Sequence, residues 1–193
     1  TNLGLFSAAA IALLLVPGPA VLFIVAQSIA QGRRAGLVCD LGIHSATLIH
    51  VAAAALGLSA LLASSALAFS IVKYAGAAYL IWLGLKKIFG RDVPSGDPVA
   101  LPRQRYARLF RDGFVVNLLN PKTALFFLAF LPQFVDPARG HIAMQITVLG
   151  LVFILIGLIT DGAYAFAAGT AGGWLKRSRA YLKAERYVSG TLL

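Results

Sequence analysis

Residues 115–125 read VVNLLNPKTAL: two asparagines, a proline and a lysine set inside an otherwise apolar run. Proline brings no amide donor and ends a helix that reaches it, while it suits the first position of a new one. Asparagine is a good N-cap. Asn120 and Pro121 therefore predict that one helix stops and another starts in the middle of the run. Lys122 follows at once, roughly 14 Å from Gly113 and roughly 21 Å from Asp136 if the flanks are helical. A charge at such depth in lipid costs on the order of 3 kcal/mol unless it is paired or hydrated. The plainer alternative is a kinked membrane helix with a lysine snorkelling to the interface.

The surrounding composition supports a bilayer as the solvent. Hydrophobic residues make up 59% of the 193-residue chain and charged ones only 12%, with a mean hydropathy of +0.82, more than one soluble core can absorb. Residues 1–32 contain no Asp, Glu, Lys or Arg. Six apolar segments follow one another at 3–31, 35–64, 68–89, 112–135, 141–173 and from about 187. Lipid offers no partner to unpaired backbone groups and no period-two strand pattern is present, so the segments are expected to be helices. The first is not a removable signal, because it is too long, lacks a basic start and carries VPGPA instead of a cleavage site. The sixth stops at Leu193 and is expected to be truncated there.

Charge follows topology. The 17 Lys and Arg residues against 7 Asp and Glu give a formal +10. They gather at Arg33–Arg34, between Lys86 and Arg111, and from Lys176 to Arg186, three connections that the positive-inside rule assigns to the cytoplasm. No basic finger or amphipathic motif accompanies them, so nucleic acid is not an expected partner. Both chain ends then lie outside, unless the first segment folds back as a re-entrant hairpin. A single cysteine, Cys39, excludes a disulfide framework and a multi-thiolate zinc site.

A second interruption matches the first. Pro17-Gly18-Pro19 divides segment 3–31 into arms of only about 20 Å, neither long enough to span. Unwinding there bares carbonyls of the first arm and amides of the second, which membrane depth tolerates only beside protein or a wet cavity. Two helix N-termini aimed at the midplane, with Lys122 beside one of them, predict an electropositive cradle for a carboxylate. Its candidate residues are Pro17, Gly18, Pro19, Asn117, Asn120, Pro121 and Lys122. Asp161, deep in segment 141–173, is the expected partner of Lys122.

Segment 35–64 places Asp40, His44 and Thr47 on one helical face, with Gly36 on the same side and His50 at its margin. A carboxylate and an imidazole can relay a proton, and an i,i+4 pair can bind metal, although no third ligand is evident. The plainer reading pairs Asp40 with Arg33 or Arg34. Asp161, Asp40 and His44 are the candidates for proton coupling or charge pairing; no metal site and no cofactor is assigned. Gly42, Gly57, Gly76, Gly84, Gly157 and Gly162 are expected to let helices approach closely.

The two halves look alike. KYAGAAYL (73–80) matches RYVSGTLL (186–193), and PAVLF (19–23) resembles PKTALF (121–126). Three spans per half make the repeats inverted. The expected organisation is a first three-helix repeat at 1–90, a basic cytoplasmic linker at 91–111 and a second, incomplete repeat at 112–193. The fold class is thus an all-α polytopic membrane protein of six helices, the first and fourth broken.

VPGPAVLFIVAQSIAQGRRAGL, LGIHSATLIHVAAAALGLSALL, VKYAGAAYLIWLGLKK and GFVVNLLNPKTALFFLAFLPQFVDP together resemble the LysE/RhtB-type amino-acid exporter family, over nearly the whole chain. The distinctive marks are Pro17-Gly18-Pro19 and Asn120-Pro121-Lys122 with the later Pro-Gln-Phe. The resemblance implies efflux of an amino acid or close derivative across the bacterial inner membrane, with no ATP-binding domain and with proton coupling. Asp40 is less typical of that family. Two other readings stay open: a metal-cation exporter using Asp40, His44, His50 and Asp161, and an intramembrane enzyme using Asp40 and His44 as acid and base. Missing thiolates weigh against soft metals, and the absence of GxSxG and HExxH weighs against the enzyme. Membrane lipid is the expected surrounding, and self-association into a homo-oligomer is left open.

Overall fold

The computed structural model describes residues 3–64 and 103–177, together with Ile71 and Tyr74. The expected segments at 68–89 and from about 187, most of the basic linker and the KYAGAAYL/RYVSGTLL match lie outside the described residues. Everything regular within them is helical: α1 (Leu3–Leu15), α2 (Pro19–Gln31), α3 (Arg33–Ser64), α4 (Tyr106–Leu118), α5 (Pro121–Leu125) and α6 (Ile142–Arg177). Beyond α5 the coil widens to a π turn at Phe126–Phe130 and tightens to 3-10 turns at Leu131–Phe134 and Pro137–Arg139.

Both predicted interruptions are present. The axes of α1 and α2 differ by 54°, and those of α4 and the Pro121–Phe134 stretch by 49°. A fold-back hairpin would reverse the chain, whereas bends of this size keep its forward sense. Each pair therefore reads as one bent crossing, with arms that together exceed the ~30 Å hydrocarbon thickness. With Arg33–Gly57 and Ile142–Gly172, the described residues hold up to four crossings, and the chain is an all-α polytopic membrane protein.

Gly32 alone separates α2 from α3. Its φ of 91° lies where an L side chain is strained, and its amide closes α2 by donating to Ser28 O at 2.8 Å. α4 begins at Tyr106, earlier than the expected repeat boundary at 112, and the tail of the basic linker is its first turns.

Small residues set the order of the bundle, as expected where lipid removes the hydrophobic drive between helices. α4 runs parallel to α3, the Gln104 amide donating to the Gln31 side chain at one end and Asn117 reaching Ile43 and Thr47 at the other. Where they cross, Gly113 faces the Cys39 carbonyl and Gly42 that of Phe110, so backbone meets backbone. α6 runs antiparallel to α3, with Gly150 against Val51, Gly157 against His44 and Gly169 against Arg33. The starts of α3 and α4 and the end of α6 therefore gather at one end of the molecule, which is where the sequence grouped its basic residues. Gly162 does not act as expected, since a Cβ there meets only ordinary contacts, and among the described residues nothing lies within 4 Å of a Cβ at Gly57. Gly76 and Gly84 lie outside the described residues.

Two cores result. Phe6, Phe126, Phe127 and Phe153 form an aromatic one with Leu14, Leu131 and Leu149, the rings of Phe126 and Phe153 stacking at 4.4 Å. Ala20, Ile24, Ala35, Cys39, Ile43, Leu109 and Ala165 form a tighter one.

Candidate functional site

Where the two cores meet lies a cavity bordered by Leu14 and Phe153 from one and by Ala20 and Ile43 from the other. Its polar lining is His44, Thr47, Asn117, Asn120, Lys122, Thr123 and Asp161. The sequence thus selected five of its polar residues, and Gly18 of the first break lines it too. At about 40 Å³ it has room for a few waters and is well short of an amino acid.

The second break is built by side chains. Asn120 Oδ1 accepts from the Lys122 amide at 3.0 Å, with Pro121 at the first position, the cap expected from the sequence. Asn117, only 2% exposed, ties the break to α3: its Nδ2 donates to Ile43 O at 2.8 Å and to Thr47 Oγ1 at 2.9 Å. Its Oδ1 accepts from Thr123 Oγ1 at 2.8 Å and from Asn120 Nδ2 at 3.4 Å. All four bonding positions of that amide are in use. The Asn117 carbonyl lies 3.1 Å from Nε2 of His50, whose ring stacks on Phe127. His50 therefore belongs to this frame.

The first break is held from outside. The last carbonyls of α1 lack the intrahelical amide donors that a continuing helix would supply. Lys122 Nζ donates to Leu13 O at 2.8 Å and to Val16 O at 2.6 Å, and Tyr164 Oη donates to Leu15 O at 2.9 Å. On the opposite side of the break, the amides of Ala20 and Val21 sit in the first turn of α2, where no intrahelical acceptor reaches them.

These distances correct the expected pairing. Lys122 sets its charge against the carbonyl end of α1, a partial negative charge of roughly half a unit, and not against Asp161. The cradle is accordingly less electropositive than the sequence implied. Asp161 pairs instead with His44, Oδ2 to Nε2 at 3.3 Å, and Asp40 Oδ1 approaches the same nitrogen at 3.2 Å. Asp40 thus meets His44 and neither Arg33 nor Arg34; the guanidinium of Arg33 lies over the Phe166 ring at 5.8 Å.

All three members of this cluster are at least 95% buried, at 2%, 5% and 3% exposure for Asp40, His44 and Asp161. Neither carboxylate is aligned for a good hydrogen bond with the ring, and among the described residues Asp40 Oδ1, Asp161 Oδ1 and both ring nitrogens have no other partner. One ligand atom from each lies within 4.8 Å of the others, so a proton, an ammonium or a metal cation could bridge them. Asp161 is the third group of the cluster; the sequence offered it as a candidate ligand but not its place beside Asp40 and His44. Two carboxylates against one imidazole leave at least one negative charge for such a group to balance.

A family model described as LysE type translocator matches residues 11–193. The chain belongs to the LysE type translocator family. A homoserine/homoserine lactone efflux protein of Salmonella typhimurium is 34% identical over 178 residues, 92% of this chain and 85% of that protein. An uncharacterized membrane protein of Vibrio cholerae is 34% identical over 162 residues, 84% of this chain and 78% of its own. One of Bacillus subtilis is 29% identical over 189 residues, covering 94% and 89%. No solved structure gives a significant match. This LysE-type chain is a multi-pass protein of the bacterial inner membrane, from a family of transporters. Sequence reasoning missed Tyr164, and it marked Gly157 as a place of close helix approach without its contact to the His44 ring. The signal for Tyr164 was present, because it stands three residues after Asp161 on the same face of α6.

Proposed function

We propose that this protein exports an amino acid or a close derivative from the cytoplasm, exchanging it for protons. The observation that carries the reading is one cavity bordered by a fixed cation, Lys122, and by a buried acidic cluster through Asp161 and His44. A zwitterion is complementary to both ends. Its carboxyl end lies toward the α1–α2 break, where the charge of Lys122 and the amide donors of Ala20 and Val21 favour an anion. Its ammonium replaces the missing positive charge between Asp161 and His44. Homoserine and its lactone, the substrates in the name of the Salmonella relative, share that ammonium and differ at the carboxyl end. The acidic half of the site is thus the common denominator for both.

An imidazole held between two carboxylates can take up a proton when the substrate ammonium leaves, which suits the cluster to exchange one for the other. Because the cavity is too small for the substrate, uptake requires the bent pairs to move, and the two breaks are the natural hinges.

The spacing within the cluster also favours metal-cation efflux as a second reading. The ammonium of Lys122 on the same cavity repels a divalent cation and leaves the zwitterion ahead. Catalysis has less support, since no side chain beside His44 offers a nucleophile arrangement.

Inside-out vesicles carrying the protein test all three. Labelled homoserine and other neutral amino acids are expected to accumulate, faster when the lumen is acidic. Uptake of a divalent metal without amino acid would establish the second reading, and chemical turnover would establish the third. Asp40 touches His44 but does not line the cavity, so Asp40→Asn should keep substrate affinity and lose the stimulation by the pH gradient. Equal stimulation in Asp40→Asn and the parent would remove Asp40 from coupling.

A further inference from the structure

We propose that the ammonium of Lys122 occupies a cation site made by the unwound end of α1, and that the lysine acts there as a tethered substitute for a free monovalent cation. The site consists of the Leu13 and Val16 carbonyls, 2.8 and 2.6 Å from Nζ. Both oxygens come from the turn that Pro17 interrupts, and the neighbouring Leu15 carbonyl is held by Tyr164, so the turn is fixed from two other helices. Gly18 completes the seat: a Cβ there would stand 3.2 Å from Lys122 Cδ, tighter than an ordinary contact, so the lysine side chain would have to give way by a few tenths of an ångström.

Carbonyls at the C-terminal end of a half-helix carry partial negative charge and lack the i+4 amide of a continuing helix; Leu13 O accepts only a long bond from the Val16 amide at 3.3 Å beside the lysine. In broken-helix transporters such ends coordinate small cations. The present arrangement differs in that the cation belongs to the chain. It reaches across from α5 and welds the end of one broken pair to the start of the other, and it borders the cavity on its remaining side. A covalently attached cation needs no coupling ion from solution at this position, so transport by the parent protein should be indifferent to sodium. Removing the amine should restore an ordinary site for a small monovalent cation, with ammonium, methylammonium and sodium as the probes.

The assignment rests on the export reading only for its transport readout; binding is measured separately. Lys122→Met keeps the length and the packing along Gly18, and Lys122→Ala opens the site fully. Thermal unfolding in detergent, in ammonium, methylammonium or sodium chloride against choline chloride, is expected to rise with the small cations in both variants and not in the parent. Uptake by vesicles should fall about tenfold or more in Lys122→Met, as for the loss of a charge-assisted hydrogen bond. It should recover several-fold in Lys122→Ala when ammonium is added. Variants that fold yet show no cation-dependent stabilisation would overturn the assignment. Stabilisation of the two variants but not of the parent, with no transport by any of the three, would uphold the site and refute the export reading.

Discussion

Asp161→Asn is expected to stop transport and to leave the protein as stable as before, or more so. Cutting one partner from a buried ion pair ordinarily costs about 3–5 kcal/mol, because the other charge is left without compensation. His44 is not abandoned by this change: Asp40 Oδ1 remains 3.2 Å from its Nε2. What disappears is the surplus negative charge, whose burial at 3% exposure is itself unfavourable. Stability therefore holds while the balance needed by a proton or a substrate ammonium is lost. Transport should fall on the order of 100-fold, the factor that about 3 kcal/mol represents. Fluorescence-monitored unfolding and vesicle uptake of the same preparation check both halves. Uptake near the parent rate would remove Asp161 from the mechanism, and a large drop in melting temperature would make it a structural residue.

Gly157→Ala gives an independent view of the same cluster. An added Cβ would collide with the His44 ring, and the ring must swing away because helix backbone cannot. The loss of transport should resemble that of Asp161→Asn, although no charge has been touched.

The two breaks were legible because their cause is local. Proline, glycine and asparagine act on their own backbone, and Pro17-Gly18-Pro19 and Asn120-Pro121 end or start helices whatever packs against them. The early start of α4 escaped notice for a reason of solvent. Hydropathy marks where lipid begins, whereas YARLFRD is polar enough to read as linker although Leu109, Gly113 and Asn117 already fall on one buried face. Partners were less legible than residues. Lys122 and Asp161 are natural complements in charge, yet its found partners are main-chain carbonyls, which no residue letter announces. The pairing of Asp161 with His44 depends on how α6 is rotated against α3, and Gly157, which the sequence marks only as a place of close approach, leaves the room that the His44 ring needs.

Asn117→Leu is the complementary case, in which stability gives way first. The sequence places Asn117 among the substrate-binding residues, and it does line the cavity. A ligand for substrate, however, keeps a bonding position in reserve, and this amide spends all four on Ile43, Thr47, Thr123 and Asn120. Leucine is close in volume, so the change removes bonds without opening a large void. Four bonds at the roughly 0.6 kcal/mol average for contacts between membrane helices amount to about 2.4 kcal/mol. The buried hydroxyl of Thr123 is left without its acceptor and adds about 1 kcal/mol more. Asn120→Ala, which forfeits chiefly one helix cap, should cost only about 1 kcal/mol. The expected result is a clear fall in melting temperature for Asn117→Leu, a small one for Asn120→Ala, and unchanged half-saturation for whatever Asn117→Leu protein remains folded. A stable Asn117→Leu protein with weakened apparent affinity would return this residue to the substrate. It would also mean that the register of α4 against α3, and with it the position of His44 one turn from Thr47, is held by packing at Gly113 and Gly42 alone.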